Sequence, residues 1–253
     1  MVRARWFVGA MVSVLSLACT AQTVALTHAA ALRPGVDAWP SIDAPSTPAQ
    51  VKINAKLAHL NQKMLRSLTD CDAGYNEALQ QMGPLAKGQE PASKDTTRSI
   101  LATMQGPRYL SLVANTFADC GGAHPNSDTE VMVFDMTTGA PINWLALIAK
   151  SAGASSYTDS LLDGTTAGAV VLPELSRLYE GAADKDCHDA FSTPQSFLIW
   201  PDAKKATLDV QAFDLSNGEN ACAAEMDVSL VQARKLGFSS VLLGAITAAH
   251  TSK

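Results

Sequence analysis

The segment Tyr109-Leu110-Ser111-Leu112-Val113-Ala114-Asn115-Thr116-Phe117 decides the fold. A strand sends alternate side chains to opposite faces. Here Leu110, Leu112 and Ala114 share one face, and Tyr109, Val113 and Phe117 share the other. Both faces are partly apolar, so the segment reads as a central strand with protein packed on each side. Arg98–Met104 and Glu130–Met136 read as further strands, the latter closed by the turn chemistry of Thr137-Thr138-Gly139.

Upstream, Ile53, Leu57, Leu60, Met64 and Leu68 recur at helical spacing and define one apolar helix face, with Lys52, Lys56, Asn61 and Lys63 available for solvent. Thr47 can cap this helix and Pro48 suits its first position; its end falls near Cys71. Downstream, Leu145–Ala149 and Val170–Tyr179 read as helices, the second with Pro173 in its first turn. Ser196–Trp200, Ala206–Phe213 and Glu225–Val228 read as strands, and Leu230–Leu236 as a helix stopped by Gly237. Strands in hairpin order, with helices that do not alternate one for one, predict an α+β fold: an antiparallel sheet with helices packed on it.

Residues 1–21 read as a secretory signal. Arg3 and Arg5 precede the apolar run Trp6–Ala18, which is too short to span a bilayer, and small residues place the cut after Ala21. A lipoprotein reading of the same stretch makes Cys19 the lipidated first residue. Val241–Ala249 is also too short to cross a membrane, so the mature chain is expected to have no transmembrane segment and to be periplasmic or secreted. Residues 22–50, rich in Pro and Ala, read as a lead-in or tether, and 51–253 as a single domain with room for two subdomains. Loss of the leader takes the formal charge from −5 to about −7. An acidic chain does not track phosphates, so no nucleic-acid partner is expected.

Cys71, Cys120, Cys187 and Cys222 lie beyond the leader. An even number in an exported chain reads as disulfides, and four cysteines allow three pairings. Cys71 ends the first helix and Cys120 ends the central strand, so joining them anchors helix to sheet. Cys187 and Cys222 each precede a late strand, so Cys187–Cys222 ties the late hairpin region together. A zinc site would have to recruit His124 and His188; the spacing offers no zinc knuckle, and neither metal nor cofactor is expected.

Asp119-Cys120-Gly121-Gly122-Ala123-His124-Pro125-Asn126 is the most distinctive stretch. The two glycines permit a sharp corner between strong strands. A functional reading makes Asp119, Gly121, Gly122, His124 and Asn126 a binding site with glycine amides open to an anion; a structural reading makes the stretch a corner pinned by Cys120. Serine-hydrolase, zinc-protease, phosphate-loop and dinucleotide patterns are absent, and no catalytic residue stands out.

Tyr109-Leu110-Ser111-Leu112, Gly121 to Asn126 and Phe134-Asp135-Met136-Thr137-Thr138-Gly139 occur in an order that resembles the extracellular domain family of the lysozyme-sensing anti-sigma factor RsiV. Trp39-Pro40, Ile53-Asn54 and Leu208–Val228 also fit. Related domains accompany the peptidoglycan deacetylase PdaC. The resemblance covers most of residues 39–236. It implies an exported α+β domain and, in RsiV, binding of a lysozyme; it implies no known catalytic centre. The expected function is therefore a cell-envelope binding module whose partner is a lysozyme-type muramidase or a peptidoglycan fragment. The alternative is an envelope hydrolase acting on wall sugar or peptide.

Overall fold

The computed structural model describes residues 23–82, 94–121, 125–156, 169–191, 195–213, 215 and 222–252. The leader, the cut after Ala21 and Cys19 lie outside these residues, as do Gly122 and His124. Three strands form the first sheet, antiparallel in the order β3-β4-β5: β3 (Asp95–Gln105), β4 (Tyr109–Asp119) and β5 (Asn126–Asp135). The first six residues of β4 are buried, as a strand covered on both faces requires. Leu110, Leu112 and Ala114 join Met132 and Phe134 in one core; Tyr109 and Val113 join Val131 and Val133 in another.

The first core is covered by α1 (Pro48–Met82) through Ile53, Leu57 and Leu60. Thr47 Oγ1 accepts from the Gln50 amide at 3.2 Å, which gives the helix its start. Its end is a correction to the sequence reading: α1 runs about three turns past Cys71. The apolar stripe stops, but a disulfide takes over. Cys71 is bonded to Cys120 with Cα atoms 5.0 Å apart, and Gly121 lies so close that a Cβ there would sit 3.0 Å from a ring carbon of Tyr75.

The lead-in is fastened to this layer. β1 (Leu26–Thr27) pairs with β2 (Ser41–Ile42), and Trp39 is 1% exposed. Asn54 and Asn61, two helical turns apart, hold it. The Ile42 amide donates to Asn54 Oδ1 at 2.7 Å and the Trp39 amide to Asn61 Oδ1 at 2.7 Å. Each Asn returns a bond to the carbonyl of the same residue. Asn61 is thus a clamp and not a solvent-facing residue. The Asp135–Gly139 turn docks the helix start: Gly139 has φ +68° and a Cβ there would lie 2.4 Å from the Ala49 carbonyl oxygen.

The other strands form a second antiparallel sheet, order β10-β9-β8-β7-β6: β6 (Ser155–Ser156), β7 (Val170–Val171), β8 (Ser196–Asp202), β9 (Thr207–Phe213) and β10 (Met226–Ser229). Every residue of β8 is buried. Phe197, Ile199 and Val210 share the second core with Tyr109, Val113 and Val131, so two sheets pack together where the sequence suggested one. Around them lie α2 (Trp144–Leu147), α3 (Pro173–Ala182), α4 (Leu230–Lys235) and α5 (Ser240–Thr251). Pro173 opens α3; Val170 and Val171, read as helix, are strand. Gly237 follows α4 with φ +93°.

Helix α5 contains Val241–Ala249, the apolar stretch too short to cross a membrane. Leu242, Leu243 and Ile246 are buried in the second core, and His250 Nδ1 lies 2.8 Å from the Ala203 carbonyl oxygen. The second disulfide joins Cys187 to Cys222, Cα atoms 5.6 Å apart. Among the described residues no helix is long and apolar enough to cross a membrane.

Candidate functional site

Along the three-stranded sheet the side chains change character. At one end the rows are apolar. At the other, β3, β4 and β5 present Thr96, Arg98, Thr116, Asn126, Asp128 and Glu130 toward α1, and Thr97, Ser99, Asn115, Phe117, Ser127 and Thr129 away from it. Polar rows do not close against a helix or a second sheet as apolar rows do. Cavities remain on both faces: about 400 Å³ under the middle of α1, from Leu60 to Cys71, and about 640 Å³ on the opposite side.

The α1-side cavity is charged. Arg98, with a side chain 3% exposed, donates from Nη2 to Glu130 Oε2 at 2.5 Å and lies over the Trp39 ring at 4.9 Å. Its Nε is buried without a hydrogen-bond partner. Asp128 is open to solvent at its surface, yet the cavity walls around it, then the Glu130 carboxylate, raise its pKa; Arg98 and Lys63 pull the other way. The Cys71–Cys120 disulfide forms part of the wall.

Of the residues singled out in the sequence, Asp119, Gly121 and Asn126 are at this end of the sheet. Asp119 Oδ1 accepts from the Gly121 amide at 3.1 Å, and Gly121 has φ +79°. That hydrogen bond makes the corner an Asx turn, a structural task for both. Asn126 is exposed and lines the α1-side cavity. Gly122 and His124 lie outside the described residues. Sequence reasoning missed Arg98, Asp128 and Glu130. A signal was present: Asp128 and Glu130 fall on the strand face that continues as Met132 and Phe134, and an inward-facing charge on an otherwise apolar strand face is out of pattern.

Among the described residues, one cluster of carboxylates could hold a cation. Asp209, Glu225 and Asp227 converge. Lys205 Nζ already fills that point, 3.0, 2.6 and 2.8 Å from their oxygens. Burial works against the lysine's charge, but hydrogen bonds to Asp227, Glu225 and Asp209 outweigh it and raise its pKa. Burial pushes Asp209 up to about 6, against its bonds to Thr207 and Lys205. The cluster fastens β9 to β10 around the Lys205 ammonium.

No family model matches the sequence, and no curated protein does. In structure the chain is similar to a crystal structure of a member of the duf3298 family from Bacteroides fragilis. The TM-score is 0.48 at 10% identity, covering 83% of this chain and 86% of that one. This chain's own fold is one of antiparallel sheets with packed helices, held by two disulfides.

Proposed function

We propose that the protein is an exported cell-envelope binding module that meets its partner at the polar end of the three-stranded sheet. The observation that carries this reading is the pair of cavities on the two faces of that end. Apolar packing is given up there over two cross-strand rows, which makes sense where a ligand supplies the missing contacts. Two disulfides suit an oxidising compartment. The resemblance of Tyr109–Leu112, Gly121–Asn126 and Phe134–Gly139 to the lysozyme-sensing domain gives the partner class: a lysozyme-type muramidase or a peptidoglycan fragment. The acidic chain would steer a basic muramidase.

Calorimetry of the exported chain tests this. Binding to a lysozyme-type muramidase or to soluble peptidoglycan fragments is expected, the former weakening as salt rises. Absence of binding to both, at low salt, would end the proposal. A hydrolase reading draws on one observation, the neighbouring carboxylates Asp128 and Glu130, with burial and the Glu130 charge raising the pKa of Asp128. Release of soluble sugar or peptide from purified wall, abolished by Asp128→Asn, would favour it.

A further inference from the structure

We propose that the cleft on the sheet face turned away from α1 binds a neutral oligosaccharide of the cell-wall glycan type. This rests on the binding-module reading and names the ligand class for one of its two cavities. By register, Thr97, Phe117 and Ser127 form one cross-strand row, and Ser99, Asn115 and Thr129 form the next. All six line the cavity of about 640 Å³, within the usual range for small-ligand sites. Leu198 and Gln211 of the second sheet also line it.

None of the six carries a charge. Arg98 and Asp128 border the cleft, but strand alternation sends their side chains to the α1 side, where Arg98 bonds to Glu130 and Asp128 faces the Glu130 carboxylate. An ionic ligand would find no counter-charge in the two rows. Ser, Thr and Asn each both donate and accept, as sugar hydroxyls and acetamides do. Thr129 Oγ1 donates to Asn115 Oδ1 at 3.0 Å, which commits the carbonyl end of that amide within the sheet and leaves its amino end as the donor for a ligand. Phe117 supplies the other half of the chemistry. Its ring is 37% exposed between hydroxyl-bearing neighbours, an apolar plate on which the C–H face of a sugar ring stacks. Amphipathic groups in alternating array fit a ligand that is itself polar at its rim and apolar on its faces.

The test uses the full exported chain in calorimetry with two probes, a β-1,4-linked N-acetylglucosamine tetramer and maltotetraose. The tetramer is expected to bind and maltotetraose not to. Phe117→Ala and Asn115→Ala should each weaken binding by about tenfold or more, and Val231→Ala, on exposed α4, should leave it unchanged. Circular dichroism establishes that the variants fold; Asn115→Ala, a change at an exposed strand position, carries the test should Phe117→Ala fail to. No binding of the tetramer, equal binding of maltotetraose, or unchanged affinity in both cleft variants would overturn the proposal. A chain that captures a muramidase but no glycan removes this inference and leaves the binding-module reading standing; a chain that captures neither removes both.

Discussion

The first half of α1 and its second half cover the same sheet face by different means. Over the first, Ile53, Leu57 and Leu60 are all but inaccessible and sit on Leu110, Leu112, Met132 and Phe134. Each such burial contributes on the order of 1.5–3 kcal/mol. Over the second half, the sheet offers Arg98, Asp128 and Glu130, and a cavity that runs from Leu60 to Cys71 separates helix from sheet. Leu68 is the buried apolar residue of α1 there, and the Cys71–Cys120 bond and the ion pairs of Asp72 with Arg33 and Lys94 add to the hold. Apolar packing closes a surface. A covalent bond can hold a helix over an open one, and a protein that must keep a cavity has reason to use it.

Phe134→Ala should be the most damaging change on the closed side. The ring is 0% exposed, so its loss leaves a void as well as removing buried area, at about 3–5 kcal/mol. Urea unfolding checks this; a loss under about 1 kcal/mol would mean that the first half is not held by packing.

Replacing Cys71 and Cys120 together by Ser should come next. The bond spans a sequence separation of 49, and the chain-entropy account gives about 3–4 kcal/mol. The sharper readout is local. Amide exchange should speed up along residues 71–82 while residues 53–60 stay protected. Uniform loss of protection along α1 would erase the distinction between the halves.

Glu130→Ala should cost about 2–3 kcal/mol at low salt. It removes the carboxylate bonded to the buried Arg98 guanidinium, and the figure is held below that of a fully buried pair because Glu130 is 28% exposed and Asp128 stays nearby. An unchanged denaturation midpoint would show that solvent reaches Arg98 freely.

The smallest effect is a pH dependence. Asp72, on the second half of α1, pairs with Lys94 at 2.5 Å and Arg33 at 3.1 Å, and the Lys94 hydrogen bond leads in lowering its pKa. A carboxylate lowered on folding stabilises the protein above the ordinary aspartate value of about 4 and ceases to as pH falls through the lowered value. The group is largely exposed, so the pair contributes under about 1 kcal/mol and fades with salt. Comparing Asp72→Asn with the parent chain at pH 7 and below pH 3 should show a small difference at the higher pH that vanishes at the lower one. A difference that grows on acidification would reverse the sign.

The same contrast explains what the sequence disclosed. β4 was legible because both of its faces are apolar, and that pattern has one physical reading. Thr47-Pro48 and Gly237 were legible because caps and stops have local chemistry. The second half of α1 was hidden because a disulfide, not a periodic stripe, keeps it in place. Helix α5 was hidden for the opposite reason: apolar on nearly all sides, it has no amphipathic period, and Ser239, whose side chain accepts from the Leu242 amide, was its one start signal. Alternation within a strand says which residues share a face but not which strands share a sheet, so two sheets read as one. Gly121 and the Asp135–Gly139 turn stood out in sequence and lie against α1, whereas Asn115, Phe117 and Asp128 stand in ordinary strand sequence. Their meaning comes only from the neighbours that register places beside them.

Amide hydrogen exchange on the full exported chain, with and without a saturating lysozyme-type muramidase and again with soluble peptidoglycan fragments, tests most directly whether the polar end of the three-stranded sheet meets the partner. Added protection is expected in residues 95–99, 115–119 and 126–130, with little change in the apolar rows around 110–113 and 131–134. Protection confined to the second sheet, or to its turn at residues 203–206, would contradict the assignment.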